Sequence, residues 1–266
     1  MLRKRIITAL FLLVFFLLAV FYLPNNIFAS LMAVIILIGA WEWAGLLNLS
    51  RQLTFGYVFT TLSLMLVSLL IPSFYLYIAS VIWWIVALLF IIKFPKWTPW
   101  AHAPILWLVG WVTLIPAWIA CVNLQSLSGG SEMLVFAFVI VWGGDTGAYF
   151  SGRRWGKTKL AAEVSPGKTV EGFLGGMLTV FLLSFIWMIF FDNSISRFFS
   201  NIYLVLLTFL ASVVGDLLES MIKRWSGKKD SSHILPGHGG VLDRIDGVCS
   251  ALPVFALGLH LMGGML

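Results

Sequence analysis

Long uninterrupted apolar runs decide what this chain can become. Nine of them stand at about Ile6–Leu23, Ile27–Leu47, Phe55–Ile71, Phe74–Ile92, Pro104–Val122, Met133–Phe150, Gly172–Phe191, Ile202–Ile222 and Val241–Met262. A bilayer's hydrocarbon core takes about 20 residues of α-helix to cross. Only helices and closed barrels satisfy every backbone group inside it. The runs are continuous rather than alternating, which argues against barrel strands. Of the 266 residues, 61% are hydrophobic and 11% charged, where soluble domains carry about 25% charged residues. No water-soluble fold of this size hides so much apolar surface. The expected fold is all-α: a polytopic integral membrane protein with about nine transmembrane helices. The first run lacks a small-residue cleavage site before Pro24 and reads as a retained helix rather than a signal peptide. Cys121 and Cys249 fit no metal or disulfide pattern.

Basic residues set the expected orientation. With Arg3, Lys4 and Arg5 in the cytoplasm, nine spans place Arg51, Lys93, Lys96, the Arg153–Lys168 loop and the Lys223–Lys229 loop on that side. Of 17 Lys and Arg residues, only Arg197 then falls opposite. Eight or ten spans would break this pattern. The formal net charge of +6 is thereby concentrated on the face where anionic headgroups and nucleotides are met. Residues 1–130 read as a lipid-facing scaffold and 131–266 as a catalytic region, within one membrane domain. Glu42, between Trp41 and Trp43, reads as an interfacial residue in an aromatic belt.

Intramembrane charge is costly and is a functional-site hypothesis by default. Four polar groups converge on the cytoplasmic half of the later spans. Asp145 lies inside an apolar run among glycines that allow close approach of a helix or ligand. The segment Ser165 to Gly172 carries Lys168 and Glu171. Its Gly167-Lys168-Thr169 is similar to the end of a P-loop, but the upstream glycine is missing and no strand is expected before it. A helix starting after Ser165 or Thr169 would still offer free N–H groups to phosphate, and Glu171 would also suit a helix start. Asp216 and Glu219 share a helix face at i and i+3, as do Asp243 and Asp246. Carboxylates from two helices aimed at one point suit Mg²⁺, a hard cation that commonly combines one or two carboxylates with substrate phosphates. The simpler alternative pairs these acids with Lys223, Arg224 and Arg244. His238, Gly239 and Gly240, before the last run, suit a phosphate-facing loop.

From Ser220 to Asp246 the chain reads Ser-x-apolar-Lys-Arg, four residues, Lys229-Asp230, then His-Gly-Gly-apolar-x-Asp-Arg-apolar-Asp. This run resembles the phosphatidate cytidylyltransferase (CDP-diacylglycerol synthase) family at each fixed position of its motif. The blocks around Asp145 and from Ser165 to Gly172 also look like the family's. The resemblance covers about Trp142 to Gly247. It implies transfer of CMP from CTP to phosphatidic acid, with Mg²⁺ as cofactor and a second, monovalent cation such as K⁺. It implies metal ligands at Asp216, Asp243 and Asp246, and phosphate contacts from Lys223, Arg224, Lys229 and Arg244. The catalytic set is then Asp243, Asp246, Arg244, Lys223, Arg224 and His238. The substrate-binding set is Lys168, Glu171, Ser220, Lys229, Asp230, Gly239, Gly240 and Asp145. Expected partners are CTP, phosphatidic acid and the bilayer, with no nucleic acid and a homodimer left open. A bacterial inner membrane with the site facing the cytoplasm is the expected location. A polyprenol or dolichol kinase would place similar charges at this interface, and a cation transporter would also use intramembrane carboxylates. A transporter, however, is expected to repeat its polar helices in two halves.

Overall fold

The computed structural model describes residues 2–192, 195–235, 237 and 239–263. Among these are nine α-helices: α1 (Leu2–Tyr22), α2 (Asn25–Leu46), α3 (Arg51–Ser68), α4 (Ser73–Lys93), α5 (Ala103–Ser126), α6 (Gly130–Trp155), α7 (Val170–Trp187), α8 (Ile195–Trp225) and α9 (Leu242–Leu261). Each apolar run falls on one of them. Seven, α2 and α4 to α9, are long and apolar enough to cross a membrane. In α1 the apolar stretch described is Leu10–Tyr22. Helix α3, which opens on Arg51 and Gln52, is not among the seven.

Helix α5 is the most enclosed of the seven. In lipid, helices adhere by close packing and by interhelical hydrogen bonds rather than by a hydrophobic force. Indole and phenol groups supply those bonds here. Trp43 Nε1 donates to Leu106 O at 3.0 Å, Trp118 Nε1 to Ala29 O at 3.0 Å, and Tyr57 OH to Trp107 O at 3.2 Å. Each ties α2 or α3 to α5. Helices α6 and α7 instead pack through small residues: a Cβ on Gly147 would lie 2.1 Å from Thr179 Oγ1.

The two ends of the bundle differ. At one, Asn25 Nδ2 donates to Gln125 Oε1 at 2.8 Å, Gln125 Nε2 to Leu23 O at 3.1 Å, and Ser131 Oγ to Val20 O at 3.0 Å. These neutral amides and hydroxyls close the end where α1 and α5 stop and α2 and α6 begin. At the other end Trp225 stacks edge-on against Trp100, with centroids 5.9 Å apart, and Lys228 Nζ bonds Gly45 O. Ionic groups gather there.

One element differs from the sequence reading. The expected loop before α7 holds an antiparallel hairpin, β1 (Lys159–Ala161) and β2 (Ser165–Thr169), with Lys159 opposite Thr169 and Ala161 opposite Ser165. A strand thus does precede Gly167-Lys168-Thr169, yet these residues lie in β2 itself and not in a loop. Thr169 then caps α7, its Oγ1 accepting from Gly172 N at 3.1 Å. This is the second of the two helix starts expected.

Candidate active site

Helices α8 and α9 meet where both carry small residues. A Cβ on Gly215 would lie 2.3 Å from Ser250 Oγ and 2.4 Å from Asp246 O. Ser250 Oγ donates across the seam to Ala211 O at 2.7 Å. This contact sets Asp216 and Glu219 of α8 beside Asp246 of α9, each in electrostatic range of Asp246. One turn further, Lys223 Nζ lies between two acids, 2.8 Å from Glu219 Oε2 and 2.6 Å from Asp243 Oδ1. The side chains of Lys223, Glu219 and Asp243 are only 12%, 3% and 6% exposed. Charges this deep are tolerated only when paired and hydrogen-bonded.

The hairpin delivers a second lysine. Lys168 Nζ stands 2.5 Å from Asp216 Oδ2, and Ser220 Oγ donates to Asp216 Oδ1 at 3.3 Å. Apart from its ion pair, Lys168 Nζ is buried without a hydrogen-bond partner among the described residues. Two flanking residues brace the hairpin. Glu171 accepts from the backbone N–H groups of Lys157 at 3.0 Å and Thr158 at 3.1 Å. Arg224 is exposed and its Nε donates to Val164 O at 3.3 Å.

Beyond Lys223 the chain forms a loop that returns to α9. Lys229, Asp230, His233, Gly237, Gly239 and Arg244 line a polar cavity of about 550 Å³ there. Gly239 pairs with Leu235 through backbone bonds, and Gly240 N donates to Asp243 Oδ2 at 2.8 Å. Arg244 is exposed on α9, and both it and Lys168 lie in electrostatic range of Asp145 on α6. His238, expected in this loop, lies outside the described residues.

Two acids carry more of the arrangement than the sequence suggested. Spacing alone pairs Glu219 with Asp216; in the structure its buried carboxyl also meets that of Asp246 across the α8–α9 seam. Glu42 is not an interfacial residue: it is 1% exposed and accepts from Ser231, Ser232, Val241 and Leu242. Its distance along the chain from those partners left no local signal.

The donor chemistry fits a hard divalent cation in part. Asp216, Glu219 and Asp246 offer clustered oxygens, and the carboxyls of Glu219 and Asp246 meet directly, a crowding of acids that a cation would relieve. Asp243 is more committed: Oδ2 takes Gly240 N, Ser231 N and Ser231 Oγ, and Oδ1 takes Lys223. As placed, no three His, Cys, Asp or Glu groups among the described residues form a ready metal site. Lysines 168 and 223 stand among the acids instead.

A model of the cytidylyltransferase family matches residues 3–262. The chain belongs to that family. A phosphatidate cytidylyltransferase of Haemophilus influenzae is 38% identical over 96% of this chain and 98% of its own length. One of Pseudomonas aeruginosa is 38% identical over 96% of both. One of Bacillus subtilis is 41% identical over 54% of this chain and 56% of its own length. Cytidylyltransferase membership thus extends through the helices before Trp142, where the motif resemblance gave only apolar helices.

Lys223 makes the site's dependence on pairing testable. Lys223→Met leaves Glu219 and Asp243 buried without their cation. It is expected to lower unfolding stability by about 3–5 kcal/mol, whereas exposed Lys229→Met shifts it within about 0.5 kcal/mol. Denaturation of both variants in detergent micelles checks this.

Proposed function

We propose that this cytidylyltransferase transfers the CMP group of CTP to phosphatidic acid, giving CDP-diacylglycerol and pyrophosphate in phospholipid synthesis. The observation that carries the reading is the cluster of cations, carboxylates and polar cavity gathered at one end of a largely apolar bundle. One substrate is a lipid and the other is water-soluble, and a site at that boundary receives both.

The reaction needs little acid–base help. A phosphatidate phosphate oxygen, already anionic, attacks the α-phosphorus of CTP. The new O–P bond forms as the bond to the β-phosphate oxygen breaks, and pyrophosphate leaves with the electron pair. The barrier is the gathering of negative charge, which preorganised cations lower. Lys168 has unused donors beside Asp216, and Arg244 and Lys229 border the polar cavity. We assign CTP to that cavity, with Arg244 engaging a phosphate through its planar fork and the lysines acting as point charges. Mg²⁺ is assigned to Asp216 and Asp246, with Glu219 beside them and Asp243 Oδ1 at the edge, and K⁺ to a neighbouring position; when bound, the divalent ion supplies charge neutralisation for the phosphates.

Two measurements test this reading. Purified protein given phosphatidic acid and CTP is expected to place label from [α-³²P]CTP in lipid and to release label from [γ-³²P]CTP as pyrophosphate. Gamma label in the lipid would identify a kinase, and no lipid label with a cation flux would identify a transporter.

The second concerns orientation in a bacterial inner membrane. The charged end carries most of the Lys and Arg, so it is assigned to the cytoplasm. In intact cells, Ser128→Cys is expected to react with an impermeant thiol reagent and Lys229→Cys to stay unlabelled. The reverse pattern would put the site on the side without CTP.

A further inference from the structure

Glu42 occupies an unusual place for a carboxylate. It sits in the last turns of α2, where the helix dipole disfavours a negative charge. Its surroundings are closed, and Trp43 beside it is buried. The compensation comes from the opposite half of the chain. Val241 N donates to Glu42 Oε1 at 2.9 Å and Leu242 N to Oε2 at 2.6 Å. Ser232 Oγ donates to Oε1 at 2.5 Å, and Ser231 Oγ lies 3.2 Å from Oε2.

These partners are the opening of α9 and the loop before it. The residue at the α9 N-cap, Val241, offers no side-chain cap. Two N–H groups at the helix start, those of Val241 and Leu242, are therefore met by a carboxylate from another helix. Such bonds to an ionised acceptor are among the stronger ones. The turn they fix is the one that holds Asp243, Arg244 and Asp246. Ser231 links the two systems, since its Oγ also lies 2.9 Å from Asp243 Oδ2 and its N–H donates there at 3.0 Å. Lys228 Nζ bonds Gly45 O, tying the same loop to the end of α2 a second time.

We infer that Glu42 is a positioning residue for cytidylyl transfer: it caps α9 from α2 and so sets where the acids and Arg244 of α9 stand relative to α8. Among the described residues Glu42 does not line the polar cavity, and its hydrogen bonds run to Ser231, Ser232, Val241 and Leu242 rather than to α8. Its effect therefore travels through the α9 start and the Ser231–Ser232 corner.

The inference rests on the proposed reaction for its kinetic readout, and on hydrogen exchange for a readout independent of it. Glu42→Gln keeps the shape but replaces one acceptor oxygen with a donor facing other donors. It is expected to lower kcat by about tenfold or more and to raise the Mg²⁺ concentration for half-maximal rate, with KM for phosphatidate unmoved. Amides in the peptide covering 231–242 are expected to exchange faster, with exchange in α5 unchanged. Ser232→Ala, a milder cut of one bond to Glu42, is expected to shift the same quantities in the same direction by less. Unchanged kcat, Mg²⁺ dependence and local exchange in folded Glu42→Gln would overturn the inference. So would a loss of activity in both variants that follows global unfolding with the Mg²⁺ dependence unmoved. If the wild-type protein transfers no CMP, the reaction reading fails, while faster exchange confined to 231–242 would still uphold the cap.

Discussion

The fold depends on pairing charge that an apolar bundle cannot otherwise hold. Lys223, set between Glu219 of α8 and Asp243 of α9, is the centre of that pairing. An unpaired ion at this depth would cost several kcal/mol. The pairing asks for a close α8–α9 seam, which Gly215 permits. It also asks for a hairpin that carries Lys168 to Asp216. The same interactions that make burial tolerable leave cations and carboxylates side by side, the arrangement phosphoryl chemistry needs. Structure and chemistry therefore draw on the same side chains.

The halves of the chain are not independent in this respect. Helix α5 gathers α2 and α3 through tryptophan and tyrosine hydrogen bonds. That packing fixes the end of α2, and with it Glu42 against the start of α9. A rigid apolar frame is thus the condition for a precise polar site, because small shifts of α2 would reach the first turn of α9.

Much of the site was legible in the sequence. Carboxylates at i and i+3 in apolar runs have few structural explanations, and that spacing picks out Asp216 with Glu219 and Asp243 with Asp246, of which Asp216, Glu219 and Asp246 lie in electrostatic range across the seam while Asp243 pairs with Lys223. The hairpin was not legible. Its strands are three and five residues long, include Pro166 and Gly167, and show no alternation. It is held from outside by Glu171, Arg224 and Asp216, partners that no local pattern reveals. Glu171 and Arg224, expected at substrate, also bond the backbone at the base and turn of that hairpin. Glu42 was misread for a similar reason: its partners lie 189 to 200 residues away, and a lone acid between tryptophans has the look of a belt residue.

The central claim is that acids of α8 and α9 together form the cation-binding heart of the site. Electron paramagnetic resonance of Mn²⁺, standing in for Mg²⁺ with the purified protein, tests this without turnover. The account predicts Mn²⁺ bound by the wild-type protein, displaced by excess Mg²⁺, and lost in a folded Asp216→Asn, Asp246→Asn double variant. Undiminished Mn²⁺ binding by that variant would contradict it.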